Sequence, residues 1–205
     1  MKKYIFLSLL TVLCLACGTQ VKVSETISEG EKSLINDSSS VMRVLTISNK
    51  EDSLFLRQGC VAFNVLDINT PEYHTLAQKM VATLKNQGNN GMCIAGPQIG
   101  IHRNIIAVKR LDKEGEPIEV YANPYIVETN GEQIIGMEKC LSVPDTKNDT
   151  KRFTHITIGY TDPHSDRIDN PRTLFEEVSG GTAILFQHAI DHLEGLIFTD
   201  FNNQK

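Results

Sequence analysis

The sequence predicts an α+β fold with an antiparallel β-meander and two helices. Two observations support this class. Short strand-type runs follow one another with turn signals between them, and helical periodicity occurs in only two segments. Because helices do not alternate with the strands, the pattern argues against a doubly wound parallel sheet.

The first helix is predicted to begin at Thr70, a residue type that often caps helix N-termini. Pro71 fits the first helical position, where its missing N–H is not needed. Leu76 and Met80 then recur at helical spacing, and Gly88 is expected to end the helix.

The strand-type runs occupy the middle of the chain and predict an antiparallel meander. They lie at residues 104–109, 118–122, 125–128, 133–137 and 156–160. Turn residues at 129–131 and 161–163 separate some of these runs.

The second helix is predicted over residues 182–193, with Gly195 closing it. His188 and His192 are four residues apart on it, so their rings project from one face and could reach a single metal ion. A histidine pair alone is weak support for a metal site, because such spacing also arises by chance.

The N-terminus has the pattern of an export signal. Two lysines precede an apolar run at 5–15 that is too short to span a bilayer, and Leu-Ala-Cys at 15–17 resembles a lipobox. We predict a lipoprotein signal over residues 1–17, with Cys17 as the acylated residue. The protein would then be an exported protein held at a membrane by its lipid anchor, and a soluble secreted protein is the alternative.

The remaining length of the 205-residue chain suits one domain. Residues 18–40 are polar and rich in Ser, Glu and Lys, so we predict a flexible tether there, or alternatively an irregular edge of the domain. The domain itself is predicted over residues 41–205. The net charge of −5 and the lack of a basic stripe exclude a nucleic-acid partner. A Cys60–Cys93 disulfide stays open.

Three motifs occur in order along this domain. They are GMCIAGPQIG at 91–100, EKCLS at 138–142 and QHAIDHLEG at 187–195. They resemble the GxGxAAxQxG, EGCLS and QHExDHLxG motifs of the peptide deformylase family. The resemblance covers about residues 41–200 and implies that family's fold, an α+β fold in which antiparallel β-sheets pack around a central metal-binding helix.

The resemblance implies one divalent metal ion held by Cys140, His188 and His192, with the fourth tetrahedral position open as in catalytic sites. In the family the ion is usually iron(II), with zinc, nickel or cobalt as substitutes. These ligand types do not choose among them.

The resemblance also assigns roles in the chemistry. The amide of Gln98 and the backbone N–H of Leu141 match the two donors to the oxygen that becomes negative during attack on the formyl group. The family's general acid–base glutamate follows the first histidine, and here that position is Ala189, which cannot accept a proton. Losing a general base typically lowers a rate by roughly 10²–10⁴-fold.

A third set of residues would contact the substrate. Cys93 and Lys139 replace family glycines where the substrate backbone lies as an added strand, so their side chains are expected to crowd or redirect a ligand. The predicted ligand-binding residues are Met92, Cys93, Ile94, Lys139, Ile184 and Leu185.

Formyl groups are removed from new chains in the cytoplasm, and an exported protein does not act there. The favoured hypothesis is therefore a metal-binding protein with lost or strongly reduced deformylase activity that still binds a peptide N-terminus or a small molecule. Whether it is an enzyme stays open, since an active hydrolase acting on N-formylmethionyl peptides is the alternative. In a third, weaker hypothesis the metal only stabilises the fold.

Overall fold

A computed structural model describes residues 26–86, 91–165 and 171–203. Its strands form two antiparallel three-stranded sheets, each with consecutive neighbours. The first sheet contains β1 (Cys93–Ala95), β2 (Ile105–Lys109) and β3 (Ile118–Ala122). The second contains β4 (Tyr125–Cys140), β5 (Val143–Thr161) and β6 (Thr173–Ser179). The predicted α+β class with antiparallel sheets is confirmed.

Five α-helices accompany the sheets in the described residues. They are α1 (Glu29–Ile35), α2 (Lys50–Leu56), α3 (Val65–Ile68), α4 (Pro71–Lys85) and α5 (Gly180–Leu193). The first predicted helix is α4, with Thr70 capping the N–H of Tyr73. The second is α5. The expected stop at Gly88 lies outside the described residues.

Helix α5 lies between the two sheets. Its apolar side chains, including Ala183, Phe186 and Leu193, share a core with Ile106 of β2 and Ile158 of β5. After the helix, Gly195 has a φ of 77°, and a Cβ there would collide with the backbone of Arg57. Gly195 therefore closes α5 as predicted, because only glycine fits this conformation and this close contact.

One predicted turn is wrong. Residues 129–131 do not separate two strands but belong to the continuous strand β4, which is irregular between Asn130 and Gln133. Gly131 has a φ of 76°, so this residue has a turn-like conformation that forms an irregularity within β4 without ending the strand.

The tether prediction is wrong for residues 26–40. Helix α1 lies within this stretch, begins with a capping box between Ser28 and Glu31, and buries Ile35 completely. Its Glu31 carboxylate accepts hydrogen bonds from the buried guanidinium of Arg103 at 2.8–3.2 Å. The helix is therefore packed on the domain. The predicted signal and the start of the tether, residues 1–25, lie outside the described residues.

Replacing Glu31 by glutamine is expected to destabilise the protein. The change removes the charge that matches the buried guanidinium of Arg103, and breaking a buried ion pair costs roughly 3–5 kcal/mol. We expect the lower end of this range, because Arg103 also donates to the Thr26 carbonyl. Urea unfolding measures the effect. Glu29→Gln, which alters an exposed i,i+3 pair on the same helix, is the control and should change stability by less than about 1 kcal/mol.

Cys60 and Cys93 are not joined in a disulfide, so the bridge left open by the sequence does not form. Over the described residues, no helix has the length and hydrophobicity needed to cross a membrane.

Candidate metal centre

Cys140, His188 and His192 come together in the structure. Their ligand atoms all lie within 4.8 Å of one another, and all three residues are buried. The Cys140 sulfur is 3.2 Å from Nε2 of His192, and the two imidazole rings are 5.0 Å apart. One thiol and two imidazoles at this separation form a donor set that fits a divalent transition metal such as iron, zinc or nickel.

Local structure explains how the three ligands meet. Cys140 is the last residue of β4, just after an irregularity in its pairing with β5. The two histidines project from one face of α5 because they are one helical turn apart. The preceding residue, Gln187, fixes the helix to β5 by bonding both the N–H and the carbonyl of Phe153, at 3.1 and 2.8 Å.

Glu138 orients the first histidine. Its Oε2 is 2.6 Å from Nδ1 of His188, which leaves Nε2 for a metal ion. The same carboxylate accepts hydrogen bonds from Arg152 and Thr150. Such carboxylate–histidine pairs fix the ring orientation of metal-binding histidines and raise their basicity.

The electrostatics of the centre favour a thiolate. Burial opposes ionisation of Cys140, but hydrogen bonds with His188 and His192 outweigh it and lower the pKa of the thiol to about 5. Burial likewise disfavours the imidazolium of His188, yet hydrogen bonds with Cys140 and Glu138 raise its pKa to about 9. Burial also opposes ionisation of Glu138, but His188 and Arg152 lower the pKa of this carboxyl to about 2. Glu138 is therefore ionised, and the thiolate is the form that binds metals.

Gln98 lies beside the triad. Its Nε2 is 3.4 Å from the Cys140 sulfur and 3.1 Å from the Ser142 hydroxyl, and its Oε1 accepts the N–H of Ala95. The side chain is buried and held at both ends, so its NH₂ group is directed toward the centre. Leu141 is half-buried next to Cys140 and packs near Gly91.

Ala189 is fully buried in the apolar core around α5. Two acidic residues of the motifs, Glu138 and Asp191, are held by other side chains. Glu138 bonds His188 on the Nδ1 side, away from the nitrogen left for a metal, and Asp191 is paired with Arg152 at 2.7 Å.

The predicted ligand-binding residues differ in their exposure to solvent. Met92 and Lys139 are exposed, whereas Cys93, Ile184 and Leu185 are half-buried. Ile94 is different, because its side chain is completely buried in the core and only its backbone could contact a ligand. Both β1 and β4 are edge strands of their sheets, so each has backbone groups that an added strand could pair with.

Sequence reasoning did not assign roles to Glu138 and Arg152. The position of Glu138 beside the metal centre could have been predicted, because residues two apart on a strand face the same side and Cys140 is two positions later. Arg152 gave no such signal, since only the pairing of β4 with β5 brings it to Glu138.

Replacing Glu138 by glutamine is expected to weaken metal binding about 10- to 100-fold, the usual effect of losing such a partner. The amide keeps the size of the side chain but loses the charge that favours the correct tautomer of His188. Competition titration with a chromogenic chelator measures the affinity. Glu128→Gln, an exposed change elsewhere on β4, is the control, and equal affinities in the two variants would contradict the assigned role.

The fold and the centre together define a class of protein: an α+β domain with two antiparallel sheets and, among its described residues, a buried Cys-His-His donor set that could hold a divalent metal.

Comparison with known proteins identifies the family. Residues 41–205 match the family model described as polypeptide deformylase. A peptide deformylase of Thermomicrobium roseum is 36% identical over 164 residues, covering 78% of this chain and 86% of that protein. One of Desulforudis audaxviator is 37% identical over 132 residues, covering 64% of this chain and 78% of its own. The chain belongs to the peptide deformylase family.

Solved structures agree with this assignment. A K3U-bound class I type b peptide deformylase from Acinetobacter baumannii is 27% identical, with a TM-score of 0.68, covering 80% of this chain and 99% of that one. The Met-Ala-Ser-bound form of the same deformylase has a TM-score of 0.66 at 26% identity, covering 78% of this chain and 98% of its own. The fold predicted from the three motifs is confirmed.

Proposed function

We propose that this protein is an exported, metal-binding member of the peptide deformylase family whose deformylase activity is lost or strongly reduced, and which retains binding of a peptide N-terminus or a small molecule. The observation that supports this most directly is Ala189. A buried methyl group occupies the position of the family's general acid–base glutamate, and the carboxylates of Glu138 and Asp191 are engaged elsewhere.

The residues that would hold the metal are the Cys140 thiolate and the imidazoles of His188 and His192. A divalent ion bound there would act as a Lewis acid that polarises a carbonyl oxygen. Glu138 orients His188, and the Gln98 amide can donate to an oxygen beside the triad. With alanine at 189, no side chain at that position can take a proton from an attacking water or give one to a leaving amine.

We propose that this protein retains the ability of its family to bind a peptide or a small molecule. Relatives in the same fold have been solved with Met-Ala-Ser and with actinonin, which shows that a peptide or a small molecule fits their sites. Here the edges of β1 and β4 are available for a peptide strand, with Cys93 and Lys139 in place of glycines. We propose that these side chains alter ligand preference.

An active hydrolase that removes formyl from N-formylmethionyl peptides is the second candidate. The intact triad and the position of Gln98 favour it, because these parts of the machinery are retained. An active hydrolase is expected to turn over at about the median rate of 10 s⁻¹, whereas the loss of a general base leaves roughly 10⁻¹–10⁻³ s⁻¹.

Activity and binding measurements separate the two candidates. The soluble domain would be loaded anaerobically with iron or nickel, its metal content measured, and hydrolysis of formyl-Met-Ala-Ser followed. We expect stoichiometric metal, turnover near or below 10⁻¹ s⁻¹, and Met-Ala-Ser binding in calorimetry. Turnover of about 10 s⁻¹ or more would refute the proposed loss, and metal without peptide binding would indicate that the metal only stabilises the fold.

The lipid anchor is proposed from Cys17 and the apolar run before it. Metabolic labelling with a fatty acid tests it directly. We expect label on the wild-type protein and none on Cys17→Ser, whereas Cys14→Ser should stay labelled. Unlabelled wild-type protein in the culture medium would instead support simple secretion.

A further inference from the structure

Lys79 is a buried lysine whose ammonium group lacks a carboxylate partner among the residues that the structure describes. It lies on α4 and is only 8% exposed. Its Nζ donates to the backbone carbonyl of Asp37 at 2.7 Å, and no described carboxylate oxygen forms an ion pair with it. Burying a charge without an opposite charge is unfavourable, so this arrangement requires an explanation.

A cavity of about 430 Å³ adjoins this lysine, and Lys79 and Asp37 both line it. The cavity is separate from the metal centre. Ile99 and Gly100 form part of its wall, while Gln98, just before them, faces Cys140 on the other side. Most of the wall is apolar, formed by Leu34, Val41, Met42, Leu45, Phe55 and Ile99.

The other charged groups on the wall are neutralised or in contact with solvent. Arg43 and Asp52 form a two-point ion pair at 2.8 and 2.7 Å, so they neutralise each other. Glu51 and Asp37 are exposed residues at the rim, and the Asp37 carboxylate accepts the N–H of Ser39. The ammonium of Lys79 is the one buried charge on the described wall that no opposite charge matches.

We propose that this cavity binds a small amphipathic carboxylate, such as a medium-chain fatty acid. The carboxylate would pair with Lys79, and the hydrocarbon body would lie against the apolar wall. The volume falls within the range of roughly 300–1,000 Å³ that is usual for small-molecule pockets. An apolar wall with a single buried cation matches a ligand that has one anionic end and an apolar body. This site is independent of the function proposed for the metal centre.

Decanoate and decanol are the probes that test the site, because they share a hydrocarbon chain and differ in charge. Binding would be measured by calorimetry on wild type, Lys79→Met and Lys79→Arg. We expect decanoate to bind wild type more tightly than decanol does. Lys79→Met should weaken decanoate binding by about 10- to 100-fold, the effect of losing a hydrogen-bonded charge, and leave decanol binding unchanged. Lys79→Arg keeps the charge and should retain decanoate binding.

Lys85→Met is the matched control, since Lys85 is an exposed lysine on the same helix. Methionine keeps the aliphatic stem of lysine, so the thermal midpoint of ligand-free Lys79→Met should equal or exceed that of wild type, which shows that the variant is folded. Decanoate binding that is absent in wild type, equal to that of decanol, or unchanged in Lys79→Met would overturn the proposal.

Discussion

Replacing Ala189 by glutamate is expected to raise turnover of formyl-Met-Ala-Ser by about 10²–10⁴-fold. Ala189 follows His188 on α5, the position at which the family has its general acid–base glutamate. The triad and Gln98 are already in place, so the substitution supplies a proton-accepting carboxylate at the position where the family has one. The measurement is the initial rate with iron- or nickel-loaded protein, compared with wild type at equal metal content.

The controls for this variant follow from the buried position of Ala189. Ala189→Gln adds the same volume without a proton-accepting group, so it should be folded to the same extent yet show no gain in rate. Metal content and thermal midpoints of both variants identify any loss of folding caused by crowding in the core. If both variants are folded and metal-loaded but Ala189→Glu is no faster than Ala189→Gln, the proposal that alanine at position 189 limits turnover is wrong.

Replacing Cys140 by alanine is expected to have the second large effect, which is loss of the metal. Structural four-ligand zinc sites bind with about 10–16 kcal/mol, so one ligand accounts for roughly a quarter of this, or about a 10²–10³-fold change in affinity. Elemental analysis after dialysis should find metal in wild type and little in the variant. Cys60→Ala, which removes a buried cysteine outside the triad, should leave metal content unchanged.

Metal binding by wild type should also weaken as the pH falls. The metal needs a thiolate and neutral imidazoles, whereas in the metal-free protein the pKa of His188 is raised to about 9 and that of Cys140 is lowered to about 5. Metal therefore displaces a proton from His188 at neutral pH, and acidification favours the protonated, metal-free form. Affinity that is constant between pH 8 and 5 would contradict this assignment of the ligands.

The family and most of its candidate site residues could be predicted from the sequence alone. The three motifs identified the candidate ligands, Gln98 and the substitution at Ala189, because those features reside in residue identity and short spacing. Helices α4 and α5 were also predictable, since a cap, a proline and long apolar periodicity are local signals. Helix α1 also has a local signal, the capping box of Ser28 and Glu31. Its low hydrophobicity, however, gave no indication that the helix packs on the domain through the ion pair of Glu31 with Arg103.

Other features depended on contacts between residues far apart in the chain. The ion pairs of Arg152 with Glu138 and with Asp191 arise from strand register and from the position of α5. That other side chains hold both carboxylates was likewise not visible in the sequence. The burial of Lys79 was not visible in the sequence either, because a helical wheel of α4 does not distinguish this lysine from an exposed one. Only packing decides which charges are matched and which are buried alone, because burial and pairing depend on the neighbours that the fold brings together and not on the neighbours in the chain.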